Sequence, residues 1–198
     1  QPCRWKYRLM EETRPGQYFP VEEHDEGTYI MNAKDLCMID HIPELLAAGV
    51  DSLKLEGRAK SSYYVAVVTN AYRSAVDAYL QQPEGFVLPE WIREEVYKVS
   101  HRGYCTGFFF GKPEAGQRYT DNSYDRSFDV IAIADDWRDG MLYVTQRNRF
   151  FAEDTVELLA PERQPISIPL NGNLFDETGE RITVANHAMM ACAFPCPV

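Results

Sequence analysis

The pattern of apolar and turn residues changes near Asp121, and this change constrains the fold more than any other feature of the chain. Before it, apolar residues recur at helical spacing between short extended runs. After it, short β-rich runs are separated by turn residues roughly every ten positions. The two patterns predict two domains, residues 1–120 and residues 121–198. We expect an α/β layer first and a small β-barrel or sandwich second.

The centre of the first domain is an extended run followed by a turn and a long helix. Residues 50–56 place Leu53 and Leu55 on one face and Lys54 and Glu56 on the other, which predicts a strand. The helix after the turn has one predicted apolar stripe, formed by Val65, Val68, Tyr72, Val76 and Tyr79. Strand, loop and helix in this order indicate an α/β layer with a parallel sheet.

Shorter elements are predicted before this unit. Residues 28–31 are a short strand candidate. Asn32 then fits the N-cap of a helix that passes through Leu36. Pro43 suits the first turn of a second helix, and Gly49 fits its end.

A further helix and an aromatic segment complete the first domain. Pro89 opens the helix, Ile92 and Val96 share its apolar face, and Gly103 is the predicted stop. Residues 104–111 follow and contain three consecutive Phe. Because three Phe rings in a row rarely stay in water, we expect this segment to pack against something larger.

The second domain is predicted to contain six short strands. They are residues 128–134, 141–146, 155–159, 165–170, 181–185 and 189–194. Turn residues lie between them at 139–140, 171–173 and 178–179. This spacing of short strands is typical of a small all-β fold.

Charge and cysteine content exclude some classes of protein. The chain has 30 Asp and Glu against 20 Lys and Arg, a net charge of −10, so a broad basic face for duplex nucleic acid is excluded. A local basic pocket remains open. No apolar run approaches the ~18 residues of a membrane helix. Five cysteines without an even framework favour a reducing compartment, and we expect a cytoplasmic protein.

Two cysteines of the first domain are candidate metal ligands. Cys3 and Cys37 lie about 30 positions apart, and Cys37 falls in the first turns of the helix predicted from Asn32. A helix N-terminus favours the thiolate, which is the form that binds metal. The spacing alone leaves two interpretations open: half of a four-cysteine iron–sulfur site, or two unrelated thiols.

Lys54, Glu56, Arg58 and Lys60 form the candidate substrate-binding set. They follow the end of the predicted strand, which is the edge where α/β barrels place their active sites. A structural ion-pair network that supports Arg58 is the alternative interpretation. Charges that point into a barrel are costly unless they are paired or bind something.

The remaining candidates are weaker. They are an acidic run at residues 22–26, a His187, Cys192 and Cys196 set that lacks a fourth metal ligand, a thiol at Cys105, and the basic residues Arg4, Lys6 and Arg8. The chain has no zinc-protease motif, nucleophile elbow, phosphate-binding loop or dinucleotide glycine fingerprint. No catalytic residue can therefore be named from motifs.

Several short motifs occur in a fixed order along the first domain. They are PCRWKY at 2–7, YIMNAKDL at 29–36, IPEL at 42–45, AGVDSLKLEGR at 48–58, RGY at 102–104 and TGF at 106–108. Together they resemble the collagenase-like peptidases of family U32 over about the first 113 residues. The β-rich tail is similar in kind to the small C-terminal β domain of many members.

The resemblance implies a TIM-like barrel followed by that β domain. A TIM barrel needs about 250 residues, whereas roughly 120 precede the β domain here. Residues 1–120 are therefore expected to be the last units of a TIM-like barrel whose other portion lies upstream of Gln1. We expect this chain by itself to lack activity.

The resemblance also implies a function. Several members of the family act in RNA hydroxylation, including 5-hydroxylation of the tRNA wobble uridine with prephenate, and related members serve ubiquinone hydroxylation. Several carry a four-iron, four-sulfur cluster on four cysteines, and Cys3 and Cys37 match the third and fourth of these ligands. With only two ligands present, this chain is expected to hold no cluster by itself.

We therefore predict that the intact protein modifies tRNA with an iron–sulfur cluster, while Glu56, Arg58 and Lys60 steer an anionic substrate. Two alternatives stay open. One is a collagenase-like peptidase whose catalytic groups lie upstream of this chain. The other is a non-enzymatic module in which the β domain binds RNA or a protein.

Overall fold

The chain is described here from a computed structural model. The described residues are 7–24, 27–29, 34–111 and 127–197. The predicted metal ligand Cys3 and the predicted helix cap Asn32 lie outside them, as do Arg4 and Lys6.

The N-terminal residues form two short hairpins. Strand β1 (Arg8–Met10) pairs antiparallel with β2 (Tyr18–Pro20). Strand β3 (Glu22–His24) pairs antiparallel with β4 (Gly27–Tyr29), which overlaps the strand predicted for residues 28–31. The acidic run at residues 22–26 begins in β3 and then leaves the described residues.

The helix predicted through Leu36 is wrong, because this segment is a strand. Strand β5 (Asp35–Leu36) pairs parallel with β6 (Tyr104–Cys105). The N–H groups of residues 35 and 37 donate to the carbonyls of residues 103 and 105, each at 2.9 Å. These distant acceptors replace the carbonyls four residues back that a helix needs.

The second short helix follows as predicted. A 3₁₀ turn (Ile39–His41) leads into α1 (Ile42–Ala47), which has Pro43 in its first turn. Gly49 ends the helix with a φ of +80°, a left-handed conformation that glycine adopts without steric cost.

Residues 50–57 form no strand, which corrects the prediction for residues 50–56. A strand is defined by hydrogen bonds to a neighbour, and none of the described strands pairs with this segment. The alternation of side chains is kept, since Leu53 and Leu55 are half-buried whereas Lys54 and Glu56 are exposed. The parallel pairing found among the described strands is β5 with β6, so they form no closed α/β barrel.

Two helices form the main core of the first part. Helix α2 (Ser62–Gln81) starts at Ser61, whose hydroxyl accepts the N–H of Tyr64 at 3.2 Å. Helix α3 (Glu90–Lys98) buries Ile92 and Val96 as predicted. It ends before Gly103, because residues 100–103 form the turn that leads into β6.

The predicted stripe of α2 lies on its buried face except at Val65: Val68 is buried, and Tyr72, Val76 and Tyr79 pack against the helical core. Val65 is 45% exposed, whereas Ala71 and Ala75 are fully buried in the cluster that contains Ile92 and Val96 of α3. Small residues at a helix interface let the two backbones approach closely. Periodicity alone assigned the interface to the largest apolar side chains.

The second part is built from short antiparallel strands. They are β7 (Ala132–Arg138), β8 (Met141–Gln146), β9 (Phe150–Phe151), β10 (Thr155–Leu158), β11 (Ile166–Pro169), β12 (Phe175–Asp176), β13 (Val184–Ala185) and β14 (Ala191–Pro195). One sheet has the order β12-β14-β8-β7, and β10–β11 and β9–β13 form separate pairs. The described strands do not close into a barrel, because no hydrogen-bonded pairing joins these pairs to the edges of the sheet.

A common core and two glycine turns support these strands. Phe150, Leu170 and Leu174 are buried at its centre. Asp139 and Gly140 both have positive φ, +52° and +76°, which suits the tight turn between β7 and β8. The turn predicted at residues 171–173 likewise has positive φ at its first two residues.

Side-chain contacts hold the two parts together. Lys98 at the end of α3 lies 2.5 Å from a carboxylate oxygen of Glu157 on β10. Asn70 on α2 accepts the N–H of Glu162 at 2.7 Å and donates to the carbonyl of Arg163 at 3.0 Å. Of the helices in the described ranges, none is long and apolar enough to cross a membrane.

Candidate functional site: a cationic cleft

A cleft of about 910 Å³ lies between β5, the extended segment before α2, the first half of α2, and β6. It brings together the four predicted substrate-binding residues and the predicted metal ligand, namely Lys54, Glu56, Arg58, Lys60 and Cys37. Leu53, Leu55 and Val68 also line it and provide apolar surface between the charged groups.

Asp35 is the centre of the polar network on one wall. Its carboxylate accepts the backbone N–H of Arg102 at 3.1 Å and the guanidinium of the same residue at 3.0 Å. The ammonium of Lys60 lies 4.0 Å from Oδ2, the carboxylate oxygen that accepts the Arg102 backbone N–H. The parallel pairing of β5 with β6 produces this contact, because it sets Asp35 beside the turn that carries Arg102.

Lys60 and Glu56 have further contacts, Lys60 with Ser100 and Tyr64 and Glu56 within the turn before α2. The Lys60 ammonium donates to the carbonyl of Ser100 at 2.9 Å and lies 5.1 Å from the ring centre of Tyr64. Glu56 accepts the backbone N–H of Arg58 at 2.8 Å, which closes the turn before α2. The ion-pair network that was the alternative interpretation of this set therefore includes Lys60.

Lys54 and Arg58 differ from Lys60. Both residues are exposed and line the cleft. Within the described residues, neither side chain forms a hydrogen bond or an ion pair. Their charges are thus available to a ligand.

The cleft is cationic although the chain is acidic. Among the described residues of the lining, four cations, Lys54, Arg58, Lys60 and Arg102, face two carboxylates, Asp35 and Glu56, which gives a formal charge of +2. The whole chain carries −10. Such a local reversal of sign attracts an anionic ligand to this surface and repels it elsewhere.

Cys37 lies in the cleft wall, but not at a helix N-terminus as predicted. Its sulfur is 3.7 Å from the hydroxyl of Tyr72, which accepts the N–H of Met38 at 2.8 Å. Burial raises the pKa of the Cys37 thiol and outweighs the hydrogen bond from the backbone of Ile39. At neutral pH the sulfur is therefore a thiol, which corrects the thiolate expected from the predicted helix.

The described residues of the cleft provide one cysteine that could bind an iron–sulfur cluster. A four-iron cluster needs four thiolates, and of the cysteines that the structure describes, Cys37 lines the cleft. The described residues contain no group of three or more His, Cys, Asp or Glu that could hold a metal ion. Cys105 is half-buried in β6, and Cys192 and Cys196 are buried in the second part.

Sequence reasoning missed three groups of this site: Asp35, Arg102 and the tyrosines. Burial raises the pKa of Tyr72 and of Tyr104, so both stay protonated. The Tyr104 hydroxyl donates to the carbonyl of Val96 at 2.5 Å. Asp35 and Arg102 lie 67 positions apart, and the one signal for them was that both fall within the ordered motifs.

These features define a class of protein: an α/β unit with a cationic cleft, packed against a small antiparallel β unit. Two models of known families match the chain. The model of peptidase family U32 matches residues 1–119, and that of the peptidase family U32 C-terminal domain matches residues 126–198. The chain belongs to peptidase family U32.

Its curated relatives have different names. It is 34% identical over 198 residues to tRNA hydroxylation protein P1 of Bacillus subtilis. The match covers 98% of this chain and 46% of that protein. It is 34% identical over 166 residues to tRNA hydroxylation protein P of Escherichia coli. This match covers 79% of this chain and 34% of that protein. It is 40% identical over 138 residues to an uncharacterized protease of Methanocaldococcus jannaschii, covering 70% and 31%. The chain thus spans less than half the length of these relatives.

Proposed function

We propose that the intact protein acts in the hydroxylation of tRNA in the cytoplasm, with the wobble uridine as its target, and that the cleft binds the RNA. The observation that carries the proposal is the cationic lining of the cleft in an otherwise acidic chain. The similarity to tRNA hydroxylation proteins of two bacteria supports the choice of RNA among anionic ligands.

The cations of the cleft have two different tasks in this proposal. Lys60 and Arg102 are fixed by Asp35 and shape the wall. Lys54 and Arg58 reach into solvent and bind phosphate oxygens. Each phosphate that such a cation neutralises releases condensed counterions, so binding weakens with added salt at a slope of about −0.7 per contact for single strands.

Arg58→Gln tests the proposal. We expect this variant of the 198-residue chain to bind labelled tRNA about five-fold more weakly in fluorescence anisotropy, with the salt slope reduced by about 0.7. Arg149→Gln is the matched control, because Arg149 is an exposed arginine of the second part, outside the lining of the cleft. If the control weakens binding and Arg58→Gln does not, the β domain is the RNA-binding module and the cleft is not.

Activity is tested in the intact protein. A strain that lacks the gene and its tRNA hydroxylation activity is complemented with the wild type or with Arg58→Gln, and 5-hydroxyuridine in digested tRNA is measured by mass spectrometry. We expect restoration by the wild type and a lower level with the variant. Absence of 5-hydroxyuridine with the wild-type protein would overturn the proposed activity.

The iron–sulfur assignment belongs to the same proposal. Cys3 and Cys37 would provide two of four ligands and the cluster would supply redox chemistry, with the other two ligands contributed from outside this chain. The half-buried position of Cys37 in the cleft wall supports its part of the assignment. The test is to reconstitute the intact wild-type protein and its Cys37→Ser variant with iron and sulfide. Iron content and absorbance then show whether Cys37 is needed to bind the cluster.

We also propose that the boundary between the two domains lies between residues 120 and 121. The two larger hydrophobic clusters each draw their residues from one side of residues 112–126, which supports this boundary. Limited proteolysis that cuts between residues 112 and 126 and leaves two resistant fragments would measure it.

A peptidase is the second candidate function, because one relative is named as a protease. The geometry of the cleft favours it less. A cysteine nucleophile needs a lowered pKa or a neighbouring base, whereas burial raises the pKa of Cys37 and its side-chain partner is the Tyr72 hydroxyl. Cleavage of gelatin by the intact protein, without formation of 5-hydroxyuridine, would favour the peptidase.

A further inference from the structure

Three consecutive phenylalanines are exposed beside the cleft. Phe108 is 75% exposed, and Phe109 and Phe110 are each 59% exposed. Leu36 is 57% exposed and lies beside this loop. A Cβ atom at Gly107 would be 3.3 Å from the Leu36 side chain. Packing of this segment against a larger body was predicted, but the described residues provide no such cover. Exposed apolar groups that cluster in this way mark a binding surface.

Two backbone hydrogen bonds and one ring contact order the loop that carries these rings. The N–H of Phe109 donates to the carbonyl of Thr106 at 3.3 Å, and the N–H of Gly111 donates to that of Phe108 at 3.2 Å. The ring of Phe110 lies 4.5 Å from the imidazole of His41. Rings that are already positioned lose little conformational entropy when a ligand packs on them.

The loop also joins the cationic cleft directly. It follows β6, and Phe109 lines the same cleft as Lys54 and Arg58. One ligand can therefore contact an aromatic face and the cations at the same time. Cations along a phosphate backbone together with aromatic faces for bases are how proteins bind single-stranded nucleic acid.

We infer that the loop of residues 106–111 is a stacking surface for unpaired bases, so that the cleft accepts a single-stranded RNA loop rather than a duplex. This inference rests on the proposed function and adds the RNA conformation that the site selects. Charge complementarity favours RNA over an apolar protein segment as the occupant, because the lining of the cleft carries +2. A duplex keeps its base faces stacked inside and gives the rings nothing to contact.

Binding of two RNAs to the 198-residue chain tests the inference. One is an anticodon stem–loop, and the other is a duplex of the same length without a loop. We expect Phe109→Leu to weaken binding of the stem–loop about tenfold and to leave duplex binding and the salt slope unchanged, since one stacked base is lost and no charge is removed. Phe109→Trp keeps an aromatic face and should retain the affinity of the wild type.

Phe151→Leu is the matched control, because Phe151 is a 45% exposed phenylalanine of β9 in the second part. Equal stem–loop affinity of Phe109→Leu and the wild type would overturn the inference. So would equal weakening of stem–loop and duplex, or failure of Phe109→Trp to retain affinity. If stem–loop binding depends on Phe109 but the intact protein forms no 5-hydroxyuridine, the inference holds and the proposed activity fails.

Discussion

Replacement of Lys98 by Met should destabilise the fold more than replacement of any exposed cation. The Lys98 ammonium lies 2.6 Å from Glu95 on its own helix and 2.5 Å from Glu157 on β10. The side chain of Glu95 is 4% exposed and that of Glu157 is 32% exposed. Methionine preserves the apolar stem of the side chain and removes the charge, so the variant leaves a buried carboxylate without its cation.

The size of the effect follows from which carboxylate can return to water. Removing one partner of a buried ion pair costs about 3–5 kcal/mol. Glu157 is partly solvated already and relaxes, whereas Glu95 cannot, so we expect a loss near the lower end, about 3 kcal/mol. Urea denaturation at pH 7, followed by tryptophan fluorescence and far-UV circular dichroism, measures the free energy of unfolding.

The pH dependence identifies Glu95 as the cause. Burial raises the pKa of Glu95 although the bonds from Lys98 lower it. A carboxyl whose pKa is raised on folding contributes stability below its unfolded pKa, and this contribution is lost as pH rises through the folded pKa. Without Lys98 the folded pKa rises further. The difference in the free energy of unfolding between the wild type and Lys98→Met should therefore shrink from pH 7 to pH 5, as Glu95 takes up a proton.

Arg93→Met is the matched control on the same helix. Arg93 also contacts two carboxylates, Asp40 and Glu90, but these pairs are exposed to solvent. We expect the control to unfold at nearly the same urea concentration as the wild type. A loss under about 1 kcal/mol for Lys98→Met at pH 7, or a gap that stays constant down to pH 5, would refute the reasoning.

Two further changes test the packing of the fold. Asn70→Ala should cost about 2 kcal/mol in the free energy of unfolding, because the backbone groups of Glu162 and Arg163 lose their partner, while Thr69→Ala on the exposed neighbouring position should cost little. Gly140→Ala should cost about 1–2 kcal/mol, because its φ is +76° and its Cβ would meet no atom within 4 Å, so backbone strain acts alone. A loss at Thr69 that equals the loss at Asn70, or a neutral Gly140→Ala, would contradict these explanations.

The site was predicted only as far as its local residues reach. Lys54, Glu56, Arg58 and Lys60 were identified because they follow one another in a short segment, and the structure places all four around one cleft. Their roles in binding stay a prediction. Asp35 and Arg102 were missed as site residues because no periodicity links positions so far apart.

The predictions of helices, strands and turns also succeeded where the feature depends on neighbouring residues and failed where it depends on distant ones. The turn at residues 139–140, the helix start at Pro43 and the helix end at Gly49 were predictable, since each depends on the conformational preference of one or two residues. The strand at residues 50–56 and the helix through Leu36 were wrong. In both cases the outcome depended on whether a distant segment offered hydrogen bonds, and that information is absent from a local pattern.

The sequence by itself determined the order of motifs that marks family U32, and the turns that depend on one or two residues. Tertiary structure alone decided which charges meet. Pairing of β5 with β6 sets Asp35 against Arg102 and produces a cationic cleft in an acidic chain. The physical reason is range: backbone preferences act over a few residues, whereas the field of the cleft is the sum of charges that only the folded chain brings together.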